Sequence, residues 1–107
     1  MTKTRAVPVR AGVVLGGGRP MVFVGGPCVI EHEKMLMTVA ETLAAVCEDL
    51  GIAFVFKTSY DKANRTSVGS YRGPGLRLGL RLVEKVKQKL GVPILLDVHK
   101  ESECRPA

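Results

Sequence analysis

The sequence has no tryptophan, and only 5% of its 107 residues are aromatic. It also lacks helix-turn-helix patterning and zinc-finger spacing. Its net charge of +6 therefore does not read as a nucleic-acid-binding module. No apolar run approaches the roughly 18 residues of a membrane span. The basic residues Lys3, Arg5 and Arg10 are followed by no apolar stretch of signal-peptide length. The expectation is a cytoplasmic chain that engages neither membrane nor nucleic acid. The three cysteines, Cys28, Cys47 and Cys104, show no CxxC spacing, as expected of reduced thiols. Walker and G-x-G-x-x-G loops are missing too, and Gly16-Gly17-Gly18 comes early and opens no helix.

What is present is a globular pattern, 46% hydrophobic and free of low-complexity tracts. Val7 to Val14, the glycine-rich Gly16 to Pro20, and Met21 to Val24 read as two short strands around a turn. The unbroken apolar runs Met21–Val24, Ala53–Phe56 and Pro93–Leu96 read as strands buried on both faces. Leu36, Val39, Leu43, Val46 and Leu50 recur in steps of three and four, which predicts an amphipathic helix over 33–50. Glu31 and Glu33 lie near its positive end and Gly51 just past its C-terminus. Leu76, Leu80, Val83, Val86 and Leu90 predict a second helix over roughly 75–90, closed by Gly91. Leu50-Gly51-Ile52 is echoed by Leu90-Gly91-Val92 forty residues on. The expected architecture is α/β. A hairpin extension occupies 1–20. Over 21–107, about three strands and two helices form a βαβαβ series with a parallel sheet, interrupted after the third strand. An open doubly wound sheet or a closed barrel of about 250 residues would complete it.

In such folds chemistry gathers at the C-terminal ends of the strands. Cys28 and Glu31 follow the first strand. Lys57 ends the second, followed by Ser59, Asp61, Lys62, Asn64 and Arg65. Asp97 ends the third, with His99 two residues on and on the same side of an extended chain. A lysine capping an apolar run is costly unless an anion balances it or its stem snorkels to solvent. Lys57, Lys62 and Arg65 in one stretch point to the first reading, an anion site, with Ser59 and Asn64 as neutral donors. Asp97 is a candidate base, proton acceptor or orienting partner for a lysine. Arg72-Gly73-Pro74-Gly75 leads into a helix as an anion-accepting N-terminus or as a rigid turn. His32 reads as a surface residue and Cys47 as a buried small hydrophobe.

Four segments carry a resemblance. Gly25-Gly26-Pro27-Cys28-Val29-Ile30-Glu31, Phe56 to Ser67 (with Asp61-Lys62-Ala63-Asn64-Arg65-Thr66-Ser67 the most specific), Ser70 to Leu76, and Asp97-Val98-His99 are similar to the 3-deoxy-D-manno-octulosonate 8-phosphate synthases. The resemblance implies a (β/α)8 TIM barrel behind an N-terminal β-hairpin, usually a homotetramer. It implies condensation of phosphoenolpyruvate with D-arabinose 5-phosphate and water, a step toward lipopolysaccharide. By position, Lys57, Ser59 and Lys62 resemble phosphoenolpyruvate ligands, and Asn64, Arg65 and Thr66 the segment that meets the arabinose phosphate. Lys62 and Asp97 are the expected catalytic pair. Cys28 resembles the metal ligand of metal-dependent members, holding zinc, iron(II) or manganese. Lys100 departs from the family, which has an acidic residue there. The family's later lysine, arginine, histidine and metal-ligating residues are not in this sequence, so no synthase activity is expected of these 107 residues alone. A non-catalytic remnant that binds phosphometabolites, or a relative of the 3-deoxy-D-arabino-heptulosonate 7-phosphate synthases, are the alternatives.

Overall fold

The computed structural model describes residues 3–62 and 72–107. Chain order is β1 (Val7–Pro8), β2 (Val14–Leu15), β3 (Val22–Gly25), α1 (Glu33–Leu50), β4 (Ala53–Ser59), α2 (Leu76–Leu90) and β5 (Ile94–Asp97), with a 3-10 turn over Glu101–Glu103. β3, β4 and β5 form a parallel sheet in chain order, with β4 in the middle. β1 and β2 pair antiparallel as a separate hairpin. The expected hairpin around Gly16–Gly18 is therefore corrected. The reversal falls between Val9 and Val13, where the Val9 N–H donates to the Val13 carbonyl at 2.8 Å. Val22, Phe23 and Val24 belong instead to the other sheet, in parallel register with Ala53, Phe54 and Val55.

Both helices follow the predicted bounds, since their periodicity is a local property of the chain. α1 starts on His32, whose Nδ1 accepts from the Met35 N–H at 3.2 Å. That cap satisfies one of the donors every helix start leaves open. Gly51 and Gly91 end the two helices in the left-handed conformation, as expected. The buried faces are rotated from the predicted stripes. On α1 the face is Leu36, Ala40 and Cys47, with Val46 and Leu50 exposed. On α2 it adds Gly79 and Leu82 to Val83 and Val86. Gly79 lets α2 approach β4 closely, for a Cβ there would stand 2.4 Å from the Tyr60 Cβ.

α1 packs on β4 and against α2, so the core lies between the helices and one face of the sheet. Ile30, Leu36, Phe54, Phe56, Tyr60, Leu82 and Val86 are its main members. Lys85 to Glu33 (2.8 Å) and Lys89 to Glu41 (2.6 Å) bridge the helices on the outside. The expectation that all three strands are buried on both faces holds only for β4. Phe23 and Val24 of β3 and Leu95 of β5 are exposed, since a sheet of three strands leaves both outer strands with an open edge. No helix among the described residues is long and apolar enough to cross a membrane.

Candidate functional site

β4 runs three residues beyond its apolar run and ends at Ser59, so Lys57 lies within the strand rather than at its end, and Ser59 is its last residue rather than a loop residue beyond it. Alternation then puts Lys57 and Ser59 on one face and Thr58 on the other. Parallel pairing sets Ser59 beside Asp97. The consequence is a three-residue cluster. The Lys57 Nζ lies 3.3 Å from Asp97 Oδ2, and the Lys62 Nζ, reaching back from the loop, lies 3.6 Å from the same oxygen. Lys57 thus finds its anion inside the chain. The Lys62 side chain is the more enclosed of the two, 15% exposed against 40%. Two ammonium groups on one carboxylate leave a net positive charge, the electrostatic condition for receiving a further anion.

Ser59 is fully buried. Its hydroxyl donates to the Asp61 carbonyl at 2.7 Å and accepts from the Asp61 N–H at 3.3 Å. His99 Nε2 is 3.4 Å from the same oxygen. Asp97 and His99 do face the same side, yet they have different partners, Asp97 the lysines and His99 the Ser59–Tyr60 corner. Asp61 takes Arg72 in a two-pronged contact, Nε to Oδ1 and Nη2 to Oδ2, each 3.2 Å. The Lys62 N–H also donates to the Arg72 carbonyl at 2.7 Å, and the Gly75 N–H to the Tyr60 carbonyl at 3.0 Å. Arg72-Gly73-Pro74-Gly75 is therefore a turn tied back to the end of β4, with the amide of Gly75, the cap residue of α2, already partnered. Asn64, Arg65 and Thr66, read from the sequence as binding residues, lie outside the described residues.

Cys28 is exposed with a free thiol. Its loop is tied to β4 by the Thr58 hydroxyl, which donates to the Pro27 carbonyl at 2.8 Å, and by the Ile30 N–H, which donates to the Ser59 carbonyl at 2.9 Å. Gly26 sits so close that a Cβ would meet the Lys57 carbonyl at 2.0 Å. The loop carrying Cys28 is thus built onto the strand end that carries the cations. Among the described residues no three His, Cys, Asp or Glu side chains gather into a metal-binding group. Those residues by themselves do not fit a metal centre.

Three participants escape a sequence reading. Thr58 looks like one more strand residue. Tyr60 is almost wholly buried, and its hydroxyl donates to Glu103 Oε1 at 2.8 Å across 43 positions of sequence. Burial, then the Glu103 carboxylate, push the Tyr60 phenol up to about 12. No local signal pairs residues so far apart. Every buried side-chain polar atom among the described residues has a partner, as expected of a well-formed site floor.

Comparison with known proteins bears on this arrangement. Residues 3–107 match the DAHP synthetase I family. A protein named 2-dehydro-3-deoxyphosphooctonate aldolase from Citrifermentans bemidjiense is 53% identical over 97% of this chain. Proteins of the same name from Geobacter sulfurreducens and Trichlorobacter lovleyi are each 48% identical, over 97% and 100% of the chain. In all three the match covers 38% of the relative, so the chain spans well under half the length of these curated relatives. With a match that leaves out only its first two residues, the chain belongs to the DAHP synthetase I family.

Proposed function

We propose that this chain is part of a phosphoenolpyruvate-condensing (β/α)8 barrel that makes 3-deoxy-D-manno-octulosonate 8-phosphate and inorganic phosphate from phosphoenolpyruvate, D-arabinose 5-phosphate and water. The observation that carries the reading is the pair of ammonium groups, Lys57 and Lys62, held on Asp97 at the C-terminal edge of a parallel sheet. The name of the relatives, 2-dehydro-3-deoxyphosphooctonate aldolase, supports it.

Phosphoenolpyruvate carries a carboxylate and a phosphate at fixed separation, and two lysines on one carboxylate are positioned to take one each. Asp97 gathers both ammonium groups around one oxygen before the ligand arrives, which lowers the cost of organising the site. The new bond forms between C3 of phosphoenolpyruvate and the aldehyde carbon of the sugar, whose oxygen takes up a proton. Water adds at C2, and phosphate leaves. Positive charge developing at C2 calls for a nearby anion or water. Lys62, the more enclosed lysine, is placed to act in that chemistry, with Lys57 and Ser59 at the floor. Asn64, Arg65 and Thr66 complete the proposal as the segment for the sugar phosphate.

Cys28 enters the proposal as a single thiolate ligand of a zinc, iron(II) or manganese ion whose other ligands come from outside the described residues, and no step is routed through it. A cytoplasmic homotetramer is part of the same reading.

The test is complementation. The chain is mixed with the remainder of the Citrifermentans bemidjiense relative, supplied as a separate polypeptide, and phosphate release from the two substrates is measured. Release that disappears with Lys62→Met is the expected result. A folded, soluble mixture that binds phosphoenolpyruvate but releases no phosphate would favour a non-catalytic phosphometabolite-binding protein.

A further inference from the structure

Tyr60 is a fixed point of the molecule. Its ring is 1% exposed, its Cβ blocks any side chain at position 79 of α2, and its carbonyl accepts from the Gly75 N–H. Ring burial alone would be served equally well by phenylalanine, so the hydroxyl must be explained by its partner. That partner is Glu103, from the 3-10 turn, whose Oε1 takes the phenol hydrogen at 2.8 Å and also lies 3.4 Å from the His99 backbone N. His99 is thereby held on three sides. Its amide meets Glu103, its ring stands edge-on to the Tyr60 ring at 5.7 Å and 77°, and its Nε2 lies 3.4 Å from Ser59 Oγ.

We propose that Tyr60 and Glu103 form a latch that positions the His99 loop on the end of β4, beside the two-lysine site. Both are positioning residues, acting on the site through His99. An exposed loop left to itself would sample many conformations. One buried phenol and one carboxylate that shares its acceptor oxygen with the loop amide reduce that freedom at the place where His99 leaves β5. The latch rests on the proposed function only in that the site beside it receives an anion. Its geometry is independent of that reading.

The test uses the chain carrying Tyr71→Phe, so that Tyr60 is the one phenol in the protein. Ultraviolet titration of tyrosinate is expected to give a midpoint near 12. Adding Glu103→Gln moves the midpoint down toward the ordinary 10 without reaching it, since the ring stays buried. In isotope-edited NMR, Glu103→Ala and Tyr60→Phe shift the His99 imidazole nitrogens and weaken the His99–Tyr60 ring contact. Glu103→Gln, which keeps an acceptor oxygen, largely preserves both signals. A Tyr60 midpoint near 10 in the parent overturns the latch. So do His99 resonances unchanged by Tyr60→Phe in a folded chain, a variant that keeps the buried ring and decides the matter even where Glu103→Ala unfolds. None of these readouts involves turnover, so failure of the condensing-enzyme reading leaves them untouched, and their failure leaves that reading standing.

Discussion

Phe23 and Phe56 occupy apolar runs of the same kind, Val22-Phe23-Val24 in β3 and Phe54-Val55-Phe56 in β4. They end in opposite environments. Phe56 is fully buried between the helices and its neighbours, whereas Phe23 is 39% exposed at the edge of the sheet. The difference lies in strand position. β4 has a partner on each side and α1 across its face, while β3 and β5 each have one partner. A run of hydrophobic residues specifies that a strand seeks cover, and its place in the sheet decides how much cover it finds. The outer strands of this chain expose apolar surface that further strands or another chain would bury.

The sharpest way to break that contrast is truncation at both positions. Phe56→Ala should cost about 3–5 kcal/mol, as large buried side chains do. Phe23→Ala should cost about 1 kcal/mol, chiefly its stacking on Phe54 at 6.0 Å. Urea denaturation of the two variants measures the gap, and equal losses would show that β3 is covered in solution. Gly26→Ala comes next, at about 1–3 kcal/mol, because the added methyl meets the Lys57 carbonyl and must push the Cys28 loop off β4. Faster reaction of Cys28 with a thiol reagent would report the displacement.

Tyr60 extends the contrast to pH. Its folded value, about 12, is raised above the ordinary 10, so its contribution is complete below pH 10 and lost as pH climbs through the folded value. On the order of 2–3 kcal/mol should disappear over that window, and Tyr60→Phe should flatten that part of the pH profile. Thr58→Val removes one buried hydroxyl bond to the Pro27 carbonyl and should cost about 1 kcal/mol, read from the same denaturation curves. Smallest of all is Lys85→Ala. Its ion pair with Glu33 is more than half exposed on both sides, so the change should stay within about 0.5 kcal/mol and vanish in high salt.

The candidate site shows the same division. Lys57, Lys62 and Asp97 were legible as polar residues at the ends of apolar runs, and their gathering at one edge follows from parallel pairing once the strands are identified. The rotation of the helical faces was not legible, because side chains of similar hydrophobicity lie on either side of each predicted stripe and packing against β4 chooses between them. The extra length of β4 was hidden for a related reason. Lys57, Thr58 and Ser59 are polar, yet their backbones continue the ladder beside Leu95, Leu96 and Asp97. His32 as a helix cap and Gly26 as a point of close approach likewise need the fold to be understood.

By itself, then, the sequence determined the elements and their order, because helical and strand periodicity, terminating glycines and apolar runs act over a few residues. It also determined which edge of the sheet would be charged. Only the tertiary structure decided that β4 lies in the middle, that one carboxylate serves two lysines, and that Tyr60 meets Glu103. Those contacts join residues about forty positions apart, and their geometry comes from the register of strands and the packing of helices, which no local stretch of chain contains.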